Sequence, residues 1–192
     1  MSCSQHIWKE IWLRKGRQDT VNLKELDGFE KTSIDMHAVG KYIRDNLKIS
    51  INDKVLEVGC GAGFLAQYVA PYCEYIGVDY TETLLKKHIE LLGNYVIMSD
   101  ANDLPFKDKY FDKTFAFSVF HYFPDKEYFK TVMKEMMRVT KKSIFIGDLP
   151  TESHDKTHLL YTLKDFEEYD GCIVNSKLCS NPNRFNVLIV KK

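Results

Sequence analysis

Val55-Leu56-Glu57-Val58-Gly59-Cys60-Gly61-Ala62-Gly63-Phe64 is the stretch that decides the fold of this chain. A short apolar strand runs into three alternating glycines and then into Phe64–Tyr72, a segment with helical spacing. Glycine lets the backbone turn sharply and approach a ligand closely, and a helix N-terminus presents N–H groups without partners. Such a unit occurs in any nucleotide-binding α/β fold, and also as a tight turn that binds nothing. The dinucleotide fingerprint G-x-G-x-x-G needs its last glycine at position 64, which is Phe64, so the spacing departs from that class. What stands here is G-x-G-x-G, with the acid Glu57 two residues ahead of it.

Downstream, strands and helices alternate. Tyr75–Val78 reads as a strand closed by Asp79, and Thr81–Leu92 as a helix with Thr81 at its N-cap. Tyr95–Met98 and Lys113–Val119 read as further strands, the latter nearly continuous in apolar residues. The helix Asp125–Val139 turns Phe129, Val132, Met133, Met136 and Met137 inward, and Ser143–Ile146 follows as a strand. Leu163–Tyr169 reads as a short helix, and Ile173–Leu178 with Phe185–Val190 as a closing hairpin. Upstream, Ile7, Trp8, Ile11 and Trp12 share one helical face that ends near Gly16, and a second helix runs from Ser33 or Asp35 to Leu47.

Strands apolar on both faces and alternating with helices predict a doubly wound α/β fold. The expected sheet is mostly parallel and seven-stranded, with helices on both faces and an antiparallel C-terminal strand. The chain reads as a single domain over 1–192, with an N-terminal helical cap at 1–48 and the core at 50–150.

Composition narrows the function. The 192 residues balance Lys+Arg 27 against Asp+Glu 27, whereas broad nucleic-acid or anionic-membrane surfaces need an excess of basic residues. Cys3, Cys60, Cys73, Cys172 and Cys179 form no CxxC pair and no zinc spacing, which predicts reduced thiols and no metal. No apolar leader follows Met1 and no run is long enough to cross a membrane, so the expected location is cytoplasmic.

Four segments in order carry a resemblance: Val55–Gly63; Gly77-Val78-Asp79-Tyr80; Asp100–Phe106; and Ser118-Val119-Phe120-His121-Tyr122-Phe123-Pro124 after the strand that begins near Tyr110-Phe111-Asp112. With Met133–Ile146 they make residues 50–150 resemble a class I S-adenosylmethionine-dependent methyltransferase of the type 11 group, which carries a Rossmann-like fold. The resemblance implies S-adenosylmethionine as cofactor and S-adenosylhomocysteine as product. It places Gly59, Cys60, Gly61 and Gly63 along the methionine part, with Glu57 steadying the loop or the amino group. It gives the ribose hydroxyls to Asp79, with Tyr80 beside the adenine. Asp100 and the backbone of Ala101 or Asn102 would hold the adenine edge, and Ser118 and His121 would lie near the sulfonium and the acceptor.

Methyl transfer from a sulfonium needs alignment and a dry site more than a catalytic side chain, except where the acceptor must lose a proton. His121, just past the fourth strand, is the first candidate base, and Asp148, just past the fifth, the second. His37, His88, His154 and His158 have no motif support. Acceptor specificity is expected in the Trp8/Trp12 helix with Arg14-Lys15-Gly16-Arg17, and in Leu149–Leu163. The charged stretch Gln18–Ile34 suits a mobile cover. The leading expectation is a small-molecule acceptor with no nucleic-acid or membrane partner. The alternatives are an RNA or protein methyltransferase and a non-catalytic cofactor-binding module.

Overall fold

The structure is a computed structural model that describes residues 3–152, 157–169, 172–174 and 183–192; the side chains of 3–6 and 172–174 are left aside. His154 and the end of the expected strand Ile173–Leu178 fall outside the described residues. In chain order the elements are α1 (Cys3–Gly16), α2 (Leu23–Leu26), α3 (Met36–Leu47), β1 (Lys54–Val58), β2 (Glu74–Asp79), α4 (Glu82–Leu92), β3 (Val96–Met98), β4 (Phe111–Phe117), α5 (Lys126–Val139), β5 (Thr140–Pro150), β6 (Cys172–Val174) and β7 (Arg184–Val190).

The strands lie side by side in the order β3-β2-β1-β4-β5-β7-β6. From β3 to β5 every pairing is parallel, with Leu56 of β1 opposite Ile76 on one side and Thr114 on the other. The C-terminal part pairs antiparallel, β5 with β7 and β7 with the short edge strand β6. This is the doubly wound architecture that the alternating pattern predicts and the Rossmann-like one that the resemblance implies, with the strand order reversing between β1 and β4.

Residue alternation along the strands builds a core on each face. Leu56, Val58, Ala116, Ile144 and Ile146 face one side, where Phe129, Val132, Met133 and Met136 of α5 cover them. Val55, Phe115, Phe117 and Phe145 face the other, under Met36, Val39, Ile43 and Leu47 of α3. Asp35 caps α3 by accepting the Ala38 N–H at 3.1 Å, and Asp125 caps α5 through Tyr128 N–H at 2.7 Å. α1 docks on α4: Thr83 Oγ1 donates to the Leu13 carbonyl at 3.0 Å, and Gly16 sits so close that a Cβ there would meet Thr83 Oγ1 at 2.4 Å.

One expected element is altered. Phe64–Tyr72 is not a continuous α-helix but two tight 3-10 turns, Ala66–Tyr68 and Ala70–Tyr72. Pro71 has no N–H to give to a carbonyl one turn back, and its ring excludes the regular helical path. The stretch expected as a mobile cover also differs, because it contains α2. Asn22 caps that turn through Lys24 N–H at 3.1 Å, and Leu26 is completely buried.

Candidate active site

A cavity opens at the carboxyl ends of β1, β2 and β4, the position expected for ligands of a doubly wound sheet. Its floor is the loop after β1. Gly59 and Gly61 take the left-handed backbone, at φ 77° and 50°. A Cβ on Gly59 would lie 2.4 Å from Val119 Cγ2, and one on Gly61 2.3 Å from Asp27 Oδ1, so both positions demand glycine.

Three side chains from three elements hold this loop by its backbone. Asp79, ending β2, accepts the Gly61 N–H at 3.0 Å through Oδ2 and the Thr81 N–H at 2.8 Å through Oδ1. His88 of α4 is buried and donates from Nδ1 to the Gly61 carbonyl at 3.1 Å, while Nε2 accepts from Asn94 at 3.1 Å. The ring is therefore the neutral Nδ1–H tautomer. Burial, only partly opposed by the Gly61 carbonyl, lowers its pKa to about 4. Asp27, just after α2, accepts Ala62 N–H at 2.6 Å and Phe64 N–H at 2.8 Å. It supplies the cap that the interrupted Phe64–Tyr72 segment lacks.

The electrostatics of the floor are one-sided. Asp27, Glu57 and Asp79 all line the cavity, and none has a Lys or Arg within ion-pair distance among the described residues. Burial raises all three pKa values. For Asp27 the two backbone N–H groups pull back and the value settles at about 7. Glu57 stands well above the usual carboxylate range: burial dominates, the Tyr75 hydroxyl at 2.5 Å opposes it, and repulsion from Asp27 and Asp79 adds to it. Three carboxylates that resist ionising around one space are arranged for a cation.

The expected site residues divide into two sets. Glu57, Gly59, Cys60, Gly61, Asp79, Tyr80, Asp100, Ala101 and Ser118 line the cavity together. Gly63, Asn102, His121 and Asp148 are not among its lining residues. Gly63 backs onto α4, where a Cβ would meet Leu92 Cδ1 at 2.5 Å. Asn102 is exposed on the turn after β3.

The two candidate bases need correction on position. His121 is buried behind Tyr122, with ring centroids 4.0 Å apart, and also packs on His158 at 4.8 Å. Asp148 gives its carboxylate to Arg184 of β7 at 2.8 Å, fixing β5 to β7 rather than facing the cavity.

Residues that the motifs do not name complete the walls. Tyr128 of α5 donates its hydroxyl to Asp100 Oδ1, joining α5 to the loop after β3. Trp8, Lys9 and Trp12 of α1 close the top, with Trp8 and Trp12 meeting the Tyr122 ring edge-on at centroid distances of 4.6 and 5.2 Å. Phe29, Phe123 and Pro124 extend this apolar wall. The spacing Asn22…Glu25 with apolar Leu23 and Leu26, followed by Asp27-Gly28, is the local signal that foreshadows Asp27: a capped turn ending in an Asp-Gly corner.

Residues 56–146 match the family model described as "Methyltransferase domain". Over these residues the chain is similar to methyltransferase domains. The matched segment runs from β1 through β5 and so contains every strand end that borders the cavity. A tRNA (carboxymethyluridine(34)-5-O)-methyltransferase of Arabidopsis thaliana is 30% identical over 94 residues, 48% of this chain and 22% of the relative. A fatty-acid O-methyltransferase of Mycolicibacterium smegmatis is 33% identical over 91 residues, 44% of this chain and 33% of the relative. The chain thus spans a third or less of either relative's length. Among solved structures, the N-methyltransferase NodS of Bradyrhizobium japonicum, in complex with S-adenosylhomocysteine, superimposes with a TM-score of 0.74 at 14% identity, covering 95% of this chain and 97% of that one. The methyltransferase fold is therefore common to both chains. No helix among the described residues is long and apolar enough to cross a membrane.

Proposed function

We propose that this protein is an S-adenosylmethionine-dependent methyltransferase that moves a methyl group to a small-molecule acceptor, with residues 1–48 forming a cap over the cofactor-binding core at 50–150. The observation that carries this reading is the cavity itself: a glycine loop and three carboxylates on its floor, and an aromatic wall from α1 and Tyr122 above.

The residues present fit the cofactor. The methionine arm carries a sulfonium and an ammonium beside one carboxylate, a net positive charge, and it would meet the buried acids Glu57 and Asp79 and the half-buried Asp27, none of which has a basic partner among the described residues. Gly59 and Gly61 both line the cavity, and the close approach of Val119 and Asp27 to them leaves no room for a side chain at either position. Asp79 retains lone pairs beyond its two backbone bonds for the ribose hydroxyls. Asp100, oriented by Tyr128, and the backbone of Ala101 stand where the adenine edge would lie. When bound, the cofactor supplies a methyl group on a positively charged sulfur.

The chain's own part is then alignment and exclusion of water. Ser118, at the end of β4 with φ 59°, turns its backbone toward the cavity next to Gly59. Trp8, Trp12 and Tyr122 shield the site, and aromatic faces stabilise a cation in a dry site by about 2 kcal/mol. The same aromatic wall, with Lys9 at its rim, favours an acceptor with a flat or apolar body. His121 stands behind Tyr122 and sets the position of that ring rather than taking a proton from the acceptor.

The test is calorimetric titration with S-adenosylmethionine and NAD, followed by incubation with methyl-labelled cofactor and a cell extract separated into metabolite, RNA and protein fractions. We expect micromolar binding of S-adenosylmethionine, no binding of NAD, and label in an organic-extractable small molecule. Label confined to RNA or protein would overturn the acceptor class. Absence of S-adenosylmethionine binding would overturn the cofactor.

A further inference from the structure

Asp27 is not part of the strand-end motif set, yet it makes the most intimate contact with the glycine loop. Its carboxylate spans Ala62 N–H and Phe64 N–H, and the same oxygen that accepts from Ala62 fills the space above Gly61. The neighbouring Leu26, completely buried, packs in one apolar cluster with Ala62 of the loop and Leu84 of α4, joined by Trp12 and Leu23. On its other side Gly28 has φ 79°, and a Cβ there would lie 2.9 Å from the Trp12 ring. Lys15 of α1 ties the segment back by donating to the Glu25 carbonyl at 2.9 Å and pairing with Glu30 at 3.0 Å. The N-terminal segment is thus tied together as α1 plus α2, and it meets the loop through the Asp27 carboxylate and the Leu26 side chain.

Resting on the reading of the cavity as the cofactor site, we propose that Asp27 is a positioning residue that latches the N-terminal cap onto the glycine loop, so that cap closure and cofactor binding reinforce each other. The closed cap holds Ala62 and Phe64 in the conformation that shapes the methionine end of the cavity. A cation bound there in turn stabilises Asp27 as a carboxylate, the form that accepts both N–H bonds. The other ionisable groups against this point are Glu57 and Cys60 on β1 and its loop, Asp79 on β2 and neutral His88 on α4. Among these Asp27 alone belongs to the cap.

Two readouts on the whole chain test this: the dissociation constant for S-adenosylmethionine by calorimetry, and the rate of tryptic cleavage at Arg14, Lys15, Arg17 and Lys24 with and without the cofactor. In the wild-type chain the cofactor should slow cleavage at these sites. Asp27→Ala should weaken cofactor affinity tenfold or more and abolish the protection. Asp27→Asn, which keeps the side-chain size and one acceptor oxygen, should fall between the two on both readouts and serves as the decisive variant if the alanine form does not fold. Wild-type affinity in either variant, or weakened affinity with protection intact, overturns the latch while leaving the cofactor reading in place. A wild-type chain that does not bind S-adenosylmethionine overturns both.

Discussion

The two ends of strand β1 handle buried carboxylates in opposite ways. At its amino end Asp53 is nearly inaccessible but surrounded by donors: Lys113 at 2.5 Å, the Ser50 N–H at 2.7 Å and hydroxyl at 2.8 Å, and Lys142 at 3.5 Å. Burial alone would raise its pKa, but the bonds from Lys113 and Ser50 outweigh this and bring it down to about 2. Asp112 alongside follows the same pattern, held by the Lys54 N–H at 3.0 Å and Lys142 at 3.1 Å. At the carboxyl end, Glu57 and Asp79 are buried and Asp27 is half-buried, but they receive only backbone N–H groups and a tyrosine hydroxyl, and their pKa values go up. One end satisfies its charges within the chain and so secures the fold. The other leaves a charge deficit that a cationic ligand completes, at some expense in stability.

This contrast can be broken by exchanging effects between the two ends, and the largest effect should come from the amino end. Lys113→Ala leaves the buried Asp53 with the neutral Ser50 donors and the longer contact to Lys142, and breaking a buried pair in this way costs about 3–5 kcal/mol. Urea denaturation should show that loss, whereas the S-adenosylmethionine dissociation constant of the folded fraction should stay within twofold of wild type. A variant of normal stability and weakened affinity would invert the assignment of the two ends.

The complementary change is Glu57→Gln. The amide still accepts from the Tyr75 hydroxyl and removes one of the three repelling charges, so stability at pH 7 should be unchanged or higher. Affinity for the cationic cofactor should fall by about 10- to 100-fold, corresponding to the roughly 1.5–3 kcal/mol of a hydrogen bond to a charged group. Calorimetry that finds undiminished affinity would remove Glu57 from the ligand-facing set.

How much of this was legible in the sequence follows from how local each signal is. The strand, the glycine loop and the acids Asp79 and Asp100 are read from adjacent residues, because alternation and glycine spacing report backbone geometry within a few positions. Over Phe64–Tyr72 the apolar spacing is helical and Pro71 marks the stop, but the segment forms two 3-10 turns in place of an α-helix ended by the proline. For Asp27 the local pattern announces a capped turn ending in Asp-Gly but not the loop it meets, because its partners lie 35 and 37 residues further along the chain. For Asp148 the local pattern likewise does not show its ion pair, because Arg184 comes from β7. His88, without any motif, turned out to face the loop because α4 packs Leu84, Leu85 and His88 inward on one face.

The smallest expected effect is the dependence of stability on pH, and its sign differs between the two ends. Asp53, with a folded pKa of about 2 against an ordinary value of 3.8, binds protons less readily when folded. Its contribution, about 2 kcal/mol, is fully present above pH ~4 and is lost as the pH falls toward 2. Asp27, raised from 3.8 to about 7, binds protons more readily when folded, so its contribution is present below pH ~4 and lost as the pH rises toward 7. Stability of the chain without cofactor should therefore decline from about pH 4 to pH 7 through Asp27, and fall again on the acid side through Asp53. Saturating S-adenosylmethionine should flatten the first decline, because a bound cation favours the ionised Asp27, and should leave the acid limb where it is. Denaturation midpoints measured from pH 2 to pH 8, with and without cofactor and in Asp53→Asn and Asp27→Asn, separate the two limbs. A cofactor that shifts the acid limb instead would mean that the two ends of β1 are electrostatically coupled, and that the division of labour along the strand does not hold.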